Sequence, residues 1–207
     1  MADYKKPDYW QQKARKEGYP ARSVYKLMEI DQKFGIFKTP RRATGGLRVL
    51  DIGAAPGSWS LYVLRKTAGN IFLAAVDLSP LSREYDKGLF DGANFFFIQG
   101  DITAADTRET LLAKGPYSTI ISDAAPSTTG NHMVDAARSL ELADAVVGYA
   151  ESALAPGGSL ALKVFQGGGS AALLKRMKTL FETAKSFKPL ACRGESVETY
   201  FVGLGKT

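Results

Sequence analysis

The stretch Val49-Leu50-Asp51-Ile52-Gly53-Ala54-Ala55-Pro56-Gly57-Ser58-Trp59 decides how this chain folds. An apolar run from Leu47 to Ile52 stops abruptly in small residues. Trp59, Leu61, Tyr62, Val63 and Leu64 then resume at helical spacing. The pattern predicts a buried parallel strand, a tight turn and a helix start. Glycines in such a turn let a ligand approach the backbone, and the unpaired N–H groups of the helix start favour a polar or anionic group. Dinucleotide-binding turns carry three glycines as G-x-G-x-x-G, whereas this turn has Gly53 and Gly57 with Pro56 between them. A proline there removes one N–H that would cradle a pyrophosphate. The turn therefore suits a nucleoside without phosphates, S-adenosylmethionine foremost, over a strand–helix turn that binds nothing.

Outward from this turn, residues 70–77, 94–101 and 118–123 read as further buried strands, ending in Asp77, Asp101 and Asp123. A fifth strand at 159–165 carries Lys163 near its C-terminal end. Helices are predicted at 8–17, 22–34, 134–154 and 170–182, and two last strands near 187–192 and 198–204. Strands alternating with helices predict an α/β, Rossmann-like fold, a mostly parallel sheet of about seven strands with helices on both faces. Ligands of such sheets sit beyond the carboxyl ends of the strands. The Gly53 turn, Asp77, Asp101 and Asp123 converge there. One strand-end acid is often a helix cap, but a row of them, Asp51 included, fits hydrogen bonding to a nucleoside. Lys163 interrupts an apolar strand, where lysine is rare unless paired. The alternative is an edge position from which its ammonium reaches solvent.

The 207 residues read as a single domain with an ordinary balance of 45% hydrophobic and 23% charged residues. Residues 1–48 carry 12 Lys/Arg against 5 Asp/Glu, and the remainder 15 against 16. The net charge of +6 therefore resides in the N-terminal segment, which reads as a polyanion-binding arm. Tyr4, Tyr9, Trp10, Tyr19 and Tyr25, interleaved with those charges, favour nucleic acid over a merely solvated surface helix, because bases stack on aromatic rings. A lone cysteine, Cys192, excludes an internal disulfide and fits a reducing cytoplasm. With a single histidine besides, a zinc site is not expected. No apolar run spans a bilayer, and the first residues lack a signal-peptide core. His132 reads as a surface loop residue and Cys192 as a small buried one.

Asp-Ile-Gly-Ala-Ala-Pro-Gly-Ser-Trp-Ser (51–60), Ser-Asp-Ala-Ala-Pro (122–126), Leu-Ala-Pro-Gly-Gly-Ser (154–159) and Leu-Lys-Val-Phe-Gln-Gly (162–167) resemble the FtsJ/RrmJ family of S-adenosylmethionine-dependent RNA ribose 2′-O-methyltransferases. Ala-Arg-Ser-Val-Tyr-Lys-Leu-Met-Glu-Ile (21–30) and Glu-Thr-Tyr-Phe-Val (198–202) extend the resemblance over nearly the whole chain. It implies a class I methyltransferase domain over 1–207, with 1–48 as its RNA-binding segment. It also implies a catalytic set of Lys26, Asp123, Lys163 and Glu198. The implied cofactor residues are Gly53, Ala54, Ala55, Pro56, Gly57, Ser58, Trp59, Asp77, Leu78, Asp101, Ile102 and Asp123, with no metal. Ser127, where members often have Asn, and the irregular 79–92 segment depart from the family pattern. The implied reaction methylates a uridine of large-subunit ribosomal RNA, or of the assembled subunit, by a monomer.

The chemistry accounts for the four residues. A ribose 2′-hydroxyl attacks only if its proton is removed or polarised. Lys163 can remove it after losing its own proton, a loss that burial or a neighbouring Lys26 favours and Asp123 and Glu198 oppose. Base and orienting group thus stay open for Lys163. A small-molecule methyltransferase would share the cofactor half but needs no basic arm, and a nonenzymatic RNA-binding module needs no such catalytic set. Transfer RNA and messenger-RNA caps are the alternative substrates.

Overall fold

Both faces of β1 (Leu47–Ile52) are covered, and its alternating side chains split the core in two. Val49 joins one cluster with Leu27, Ile30 and Leu61, whereas Leu50 and Ile52 join another with Val146, Val147 and Leu173. Period-two alternation makes this unavoidable in a strand buried on both sides. The computed structural model describes residues 9–38, 46–193 and 196–207. Around β1 lie β2 (Ile71–Asp77), β3 (Phe95–Gln99), β4 (Tyr117–Ser122), β5 (Leu154–Phe165), β6 (Phe181–Phe187) and β7 (Glu198–Lys206). They form one sheet in the order β3-β2-β1-β4-β5-β7-β6. The first five run parallel, and β7 is antiparallel to both its neighbours.

Helices α1 (Tyr9–Lys16), α2 (Val24–Phe34) and α3 (Ser58–Lys66) contribute to the first cluster. Helices α4 (Ala105–Ala113), α5 (His132–Ala153) and α6 (Ser170–Leu180) contribute to the second. This is the expected α/β, Rossmann-like sheet with helices on both faces. The order reverses at β1, between β2 and β4, and ligands of open α/β sheets bind at such a point.

Three expectations need correction. The penultimate strand is Phe181–Phe187, not 187–192. It follows α6 without a loop, so the end of the helical period was hidden, and Pro189 ends it by lacking an N–H. Helix α4 went unread because only Thr107 and Leu111 are buried in it, too few to show a period. His132 is not in the loop but opens α5, exposed, beside the Asn131 cap whose side chain accepts from Met133 N and Val134 N. The aromatic residues of the basic segment also behave differently. Tyr19 and Tyr25 are core, and Trp10 packs on Tyr25 with ring centroids 5.0 Å apart. Tyr9 is exposed, and Tyr4 and the loop residues 39–45 lie outside the described residues. Packing therefore explains most of that aromatic pattern.

The turn after β1 is built on a close approach. Gly53 has φ +76°, and a Cβ there would fall 2.5 Å from the Ala124 Cα in the loop after β4. Its N–H and that of Ala54 both donate to the Val76 carbonyl. Gly53→Ala should therefore cost about 2 kcal/mol or more, from left-handed strain plus the clash. Urea denaturation reads this directly; an unchanged midpoint would mean that the Ala124 loop gives way freely.

Candidate active site

β5 lies between β4 and β7, so Lys163 is not on an edge strand. Alternation puts Ala161 and Lys163 on the α2–α3 face, opposite Leu160, Leu162 and Val164. Lys163 pairs in register with Tyr200, and Phe165 with Glu198. The Lys163 Nζ sits 3.0 Å from Asp123 Oδ1, with both side chains nearly buried, and also donates to the Asp123 carbonyl. The Tyr200 hydroxyl donates to the same Oδ1 at 2.6 Å.

Lys26 arrives from α2, whose inward face includes Val24, Leu27 and Ile30, and is itself only 8% exposed. Its Nζ lies 2.7 Å from Glu198 Oε1 and 6.0 Å from the Tyr200 ring centre. Helix α2 also fixes the segment leading to Glu198. Glu29 accepts from Leu190 N and Ala191 N at 2.7 and 2.8 Å, and Arg22 donates to the Ala191 carbonyl. Lys26, Asp123, Lys163 and Glu198 thus meet in one place as two lysine–carboxylate pairs. Burial raises the Asp123 carboxyl, but Lys163, Lys26 and the Tyr200 hydroxyl outweigh it and hold it below the usual carboxylate range. Burial, then Asp123, pushes the Tyr200 phenol well up, keeping it a donor.

Beside these pairs opens a cleft of about 390 Å³, within the range of small-molecule sites. Of the sequence-predicted cofactor residues, Gly53, Ala55, Pro56, Asp77, Leu78, Asp101, Ile102 and Asp123 line it, and of the predicted catalytic set Lys163 joins Asp123 there. Ala54, Gly57, Ser58 and Trp59 do not; they shape it from behind. A Cβ on Gly57 would lie 2.9 Å from Phe90, the Ser58 hydroxyl accepts from Ala21 N at 2.8 Å, and the Trp59 indole donates to the Ser23 carbonyl at 2.9 Å. Asp77 accepts from Ala55 N and Ser79 N, which sets its carboxylate at the lip of the turn. Asp101 is held below its usual range by the Thr103 backbone and side chain. Two fixed carboxylates beside an apolar floor of Ile52, Val76 and Ile102 fit a nucleoside with free hydroxyls.

Sequence reasoning missed Tyr200, Ser23, Gly100, Ala124 and Ala125. Tyr200 reads as ordinary strand core, and only its place two residues after Glu198 on an alternating strand marks it. Asp51 does not belong to the row facing the cleft. It points into the α3 side of the core, fully buried, and accepts from the Ser60 hydroxyl at 2.7 Å. Among the described residues its Oδ1 has no hydrogen-bond partner. Cys192 is buried, as read, and its thiol is pushed up to about 12 by burial first. Ser127 is exposed, on a loop whose Thr129 and Gly130 N–H groups bond to Asp135. Among the described residues no cluster is suited to hold a metal, and no helix is long and apolar enough to cross a membrane.

A seven-stranded sheet of this order, with a nucleoside-sized cleft at its reversal point, is the Rossmann-like α/β architecture that class I methyltransferases share. The chain belongs to the FtsJ-like methyltransferase family, whose model matches residues 19–206. A relative from Treponema denticola, "Ribosomal RNA large subunit methyltransferase E", is 48% identical over 97% of this chain and 96% of its own. One of the same name from Oleidesulfovibrio alaskensis is 42% identical over 96% and 91%. A crystal structure from Plasmodium falciparum, described as a ribosomal RNA methyltransferase, superposes with a TM-score of 0.73 at 26% identity, covering 91% of this chain and 98% of that one.

Asp51 gives the site a pH-dependent foundation. Burial, then Asp123 and Asp77, raises its carboxyl to about 7 against the Ser60 hydrogen bonds. The folded chain therefore keeps this proton to higher pH than the unfolded chain does. Stability is unaffected by Asp51 in acid, falls as pH rises from about 4 to about 7, and levels off above, a loss on the order of 4 kcal/mol. Asp51→Asn keeps an acceptor for Ser60 and cannot ionise. Its stability relative to the parent should rise steadily across that window in urea titrations; a constant difference would show that Asp51 does not titrate there.

Proposed function

We propose that this methyltransferase transfers the methyl group of S-adenosylmethionine to a ribose 2′-hydroxyl of RNA, a uridine of large-subunit ribosomal RNA. The observation that carries this reading is the double pair Lys163–Asp123 and Lys26–Glu198 at one end of the nucleoside-sized cleft. The names of the relatives support the ribosomal substrate, and the family resemblance supports the uridine.

Once bound, S-adenosylmethionine supplies an electrophilic methyl carbon on a sulfonium. Asp77 and Asp101 would accept from the cofactor's hydroxyls, and Gly53, Ala55 and Pro56 would lie against it. Lys163, clamped by Asp123, directs the 2′-hydroxyl oxygen toward the methyl and stabilises the negative charge that builds on it as its proton passes to solvent water. Tyr200 fixes Asp123, so that clamp has one orientation. Lys26, held by Glu198, adds a second positive charge near the reacting oxygen. Alignment of oxygen, methyl and sulfur supplies much of the remaining rate. The RNA is gripped by exposed cations of the N-terminal segment, among them Arg15, Lys16 and Lys38.

Lys163→Ala should leave S-adenosylmethionine affinity nearly unchanged while single-turnover methyl transfer falls about 100-fold or more. Near-normal transfer would reduce Lys163 to a structural lysine. Replacing Arg15, Lys16 and Lys38 by Gln should weaken RNA binding and flatten its log–log salt dependence by roughly 0.7–0.9 for each phosphate no longer neutralised. An unchanged slope would move the RNA path off this arm. The substrate itself is settled by offering assembled large subunits, naked ribosomal RNA, transfer RNA and capped RNA side by side. Ribosomal substrates should win; preference for either of the others rejects the ribosomal assignment and keeps the ribose chemistry.

A further inference from the structure

Ser23 occupies an unusual position for a serine at a helix start. Such a serine ordinarily adopts an extended backbone and caps the helix with its side chain. Here φ −57° and ψ −22° are helical, and the side chain makes no capping hydrogen bond. The N–H groups that a cap would satisfy are already bonded, Tyr25 N to Arg22 O and Lys26 N to Ser23 O. The backbone of Ser23 is meanwhile fixed from a second side by the Trp59 indole at 2.9 Å. A held residue thus carries a hydroxyl with no hydrogen-bond partner among the described residues, and it lines the same cleft as Asp123 and Lys163.

Its place within the cleft can be read from its neighbours. The Trp59 ring that binds its carbonyl lies 6.0 Å from the Tyr200 ring, and Tyr200 bonds to Asp123. Ser23 therefore belongs to the Asp123 end. The other end, walled by Asp77, Leu78, Gly100, Asp101 and Ile102, comes from the loops after β2 and β3. Its two carboxylates suit the hydroxyls of a nucleoside. An elongated cofactor with its adenosine there must lay its amino-acid end toward Ser23. A neutral hydroxyl can donate to an α-carboxylate or accept from an α-ammonium, so it suits a zwitterion.

We infer that the Ser23 hydroxyl binds the amino-acid end of S-adenosylmethionine, as a further cofactor-binding residue supplied by the N-terminal segment. The inference rests on the reading of the cleft as an S-adenosylmethionine site.

Two ligands separate the halves of the site. S-adenosylhomocysteine carries the amino-acid end, and 5′-methylthioadenosine has the nucleoside without it. Calorimetry on the full chain should show Ser23→Ala weakening S-adenosylhomocysteine about tenfold, the scale of one hydrogen bond to a charged group. It should leave 5′-methylthioadenosine within twofold, and Ser23→Thr should restore most of the loss. Equal weakening of both ligands, or of neither, overturns the inference. So does an effect confined to the RNA KM, which would place the hydroxyl on the substrate ribose. If the unmodified chain binds neither ligand, the cofactor reading itself falls and takes this one with it.

Discussion

The ion pair between Lys163 and Asp123 is the interaction on which the rest of the site depends. Both groups are taken largely out of water, which costs several kcal/mol per ion, and attraction offsets this only with good geometry and further hydrogen bonds. The structure supplies those in full: a 3.0 Å contact, a second bond to the Asp123 carbonyl, and the Tyr200 hydroxyl on the same carboxylate oxygen. The arrangement tolerates little change. Removing one partner leaves an uncompensated charge in a crevice, whereas hydrophobic residues of similar volume would hold the same strands together more cheaply. A pair kept at such cost points to chemistry rather than to stability.

Topology explains why these groups meet. Parallel β4 and β5 bring Asp123 and Lys163 to the same edge of the sheet because both lie toward the ends of adjacent strands. A sixth parallel strand would also offer its last residues there. β7 runs the other way, so its first residues, Glu198 and Tyr200, face Phe165 and Lys163. The antiparallel turnabout thus delivers a second carboxylate and a phenol to an edge otherwise built from strand ends. Helix α2 then covers them with Lys26 and uses Glu29 to pin the approach to β7.

Much of this was legible in the chain. The β1 turn announces itself because an apolar run, small residues and a helical period follow one another within a dozen or so positions. Lys163 stands out because an apolar strand rarely admits a cation. What stayed hidden depends on contacts between distant segments. Asp51 and Asp77 look alike as strand-end acids and share a face, yet Asp51 stands level with Ala75 inside the sheet and turns to Ser60, whereas Asp77 lies two residues further out, at the cleft. Tyr19 and Tyr25 look like stacking platforms until the α1–α2 packing buries them. Phe181–Phe187 was missed because a strand that follows a helix without a loop carries no punctuation.

The basic N-terminal segment is therefore not an arm appended to a finished enzyme. Residues 19–26 place Tyr19, Val24 and Tyr25 in the core, Ser23 in the cleft and Lys26 against Glu198. The same stretch is stitched to the cofactor turn through Ala21 N on Ser58 and the Trp59 indole on Ser23. Cations only a turn or two away, Arg15 and Lys16, are exposed and free to meet phosphate. One continuous piece of chain thus presents exposed cations, lines the cleft and supplies the lysine that pairs with Glu198. Charge substitutions at exposed positions can separate RNA affinity from cofactor affinity. Deletion of the segment cannot, because it would remove a wall of the cleft and leave Glu198 without its cation.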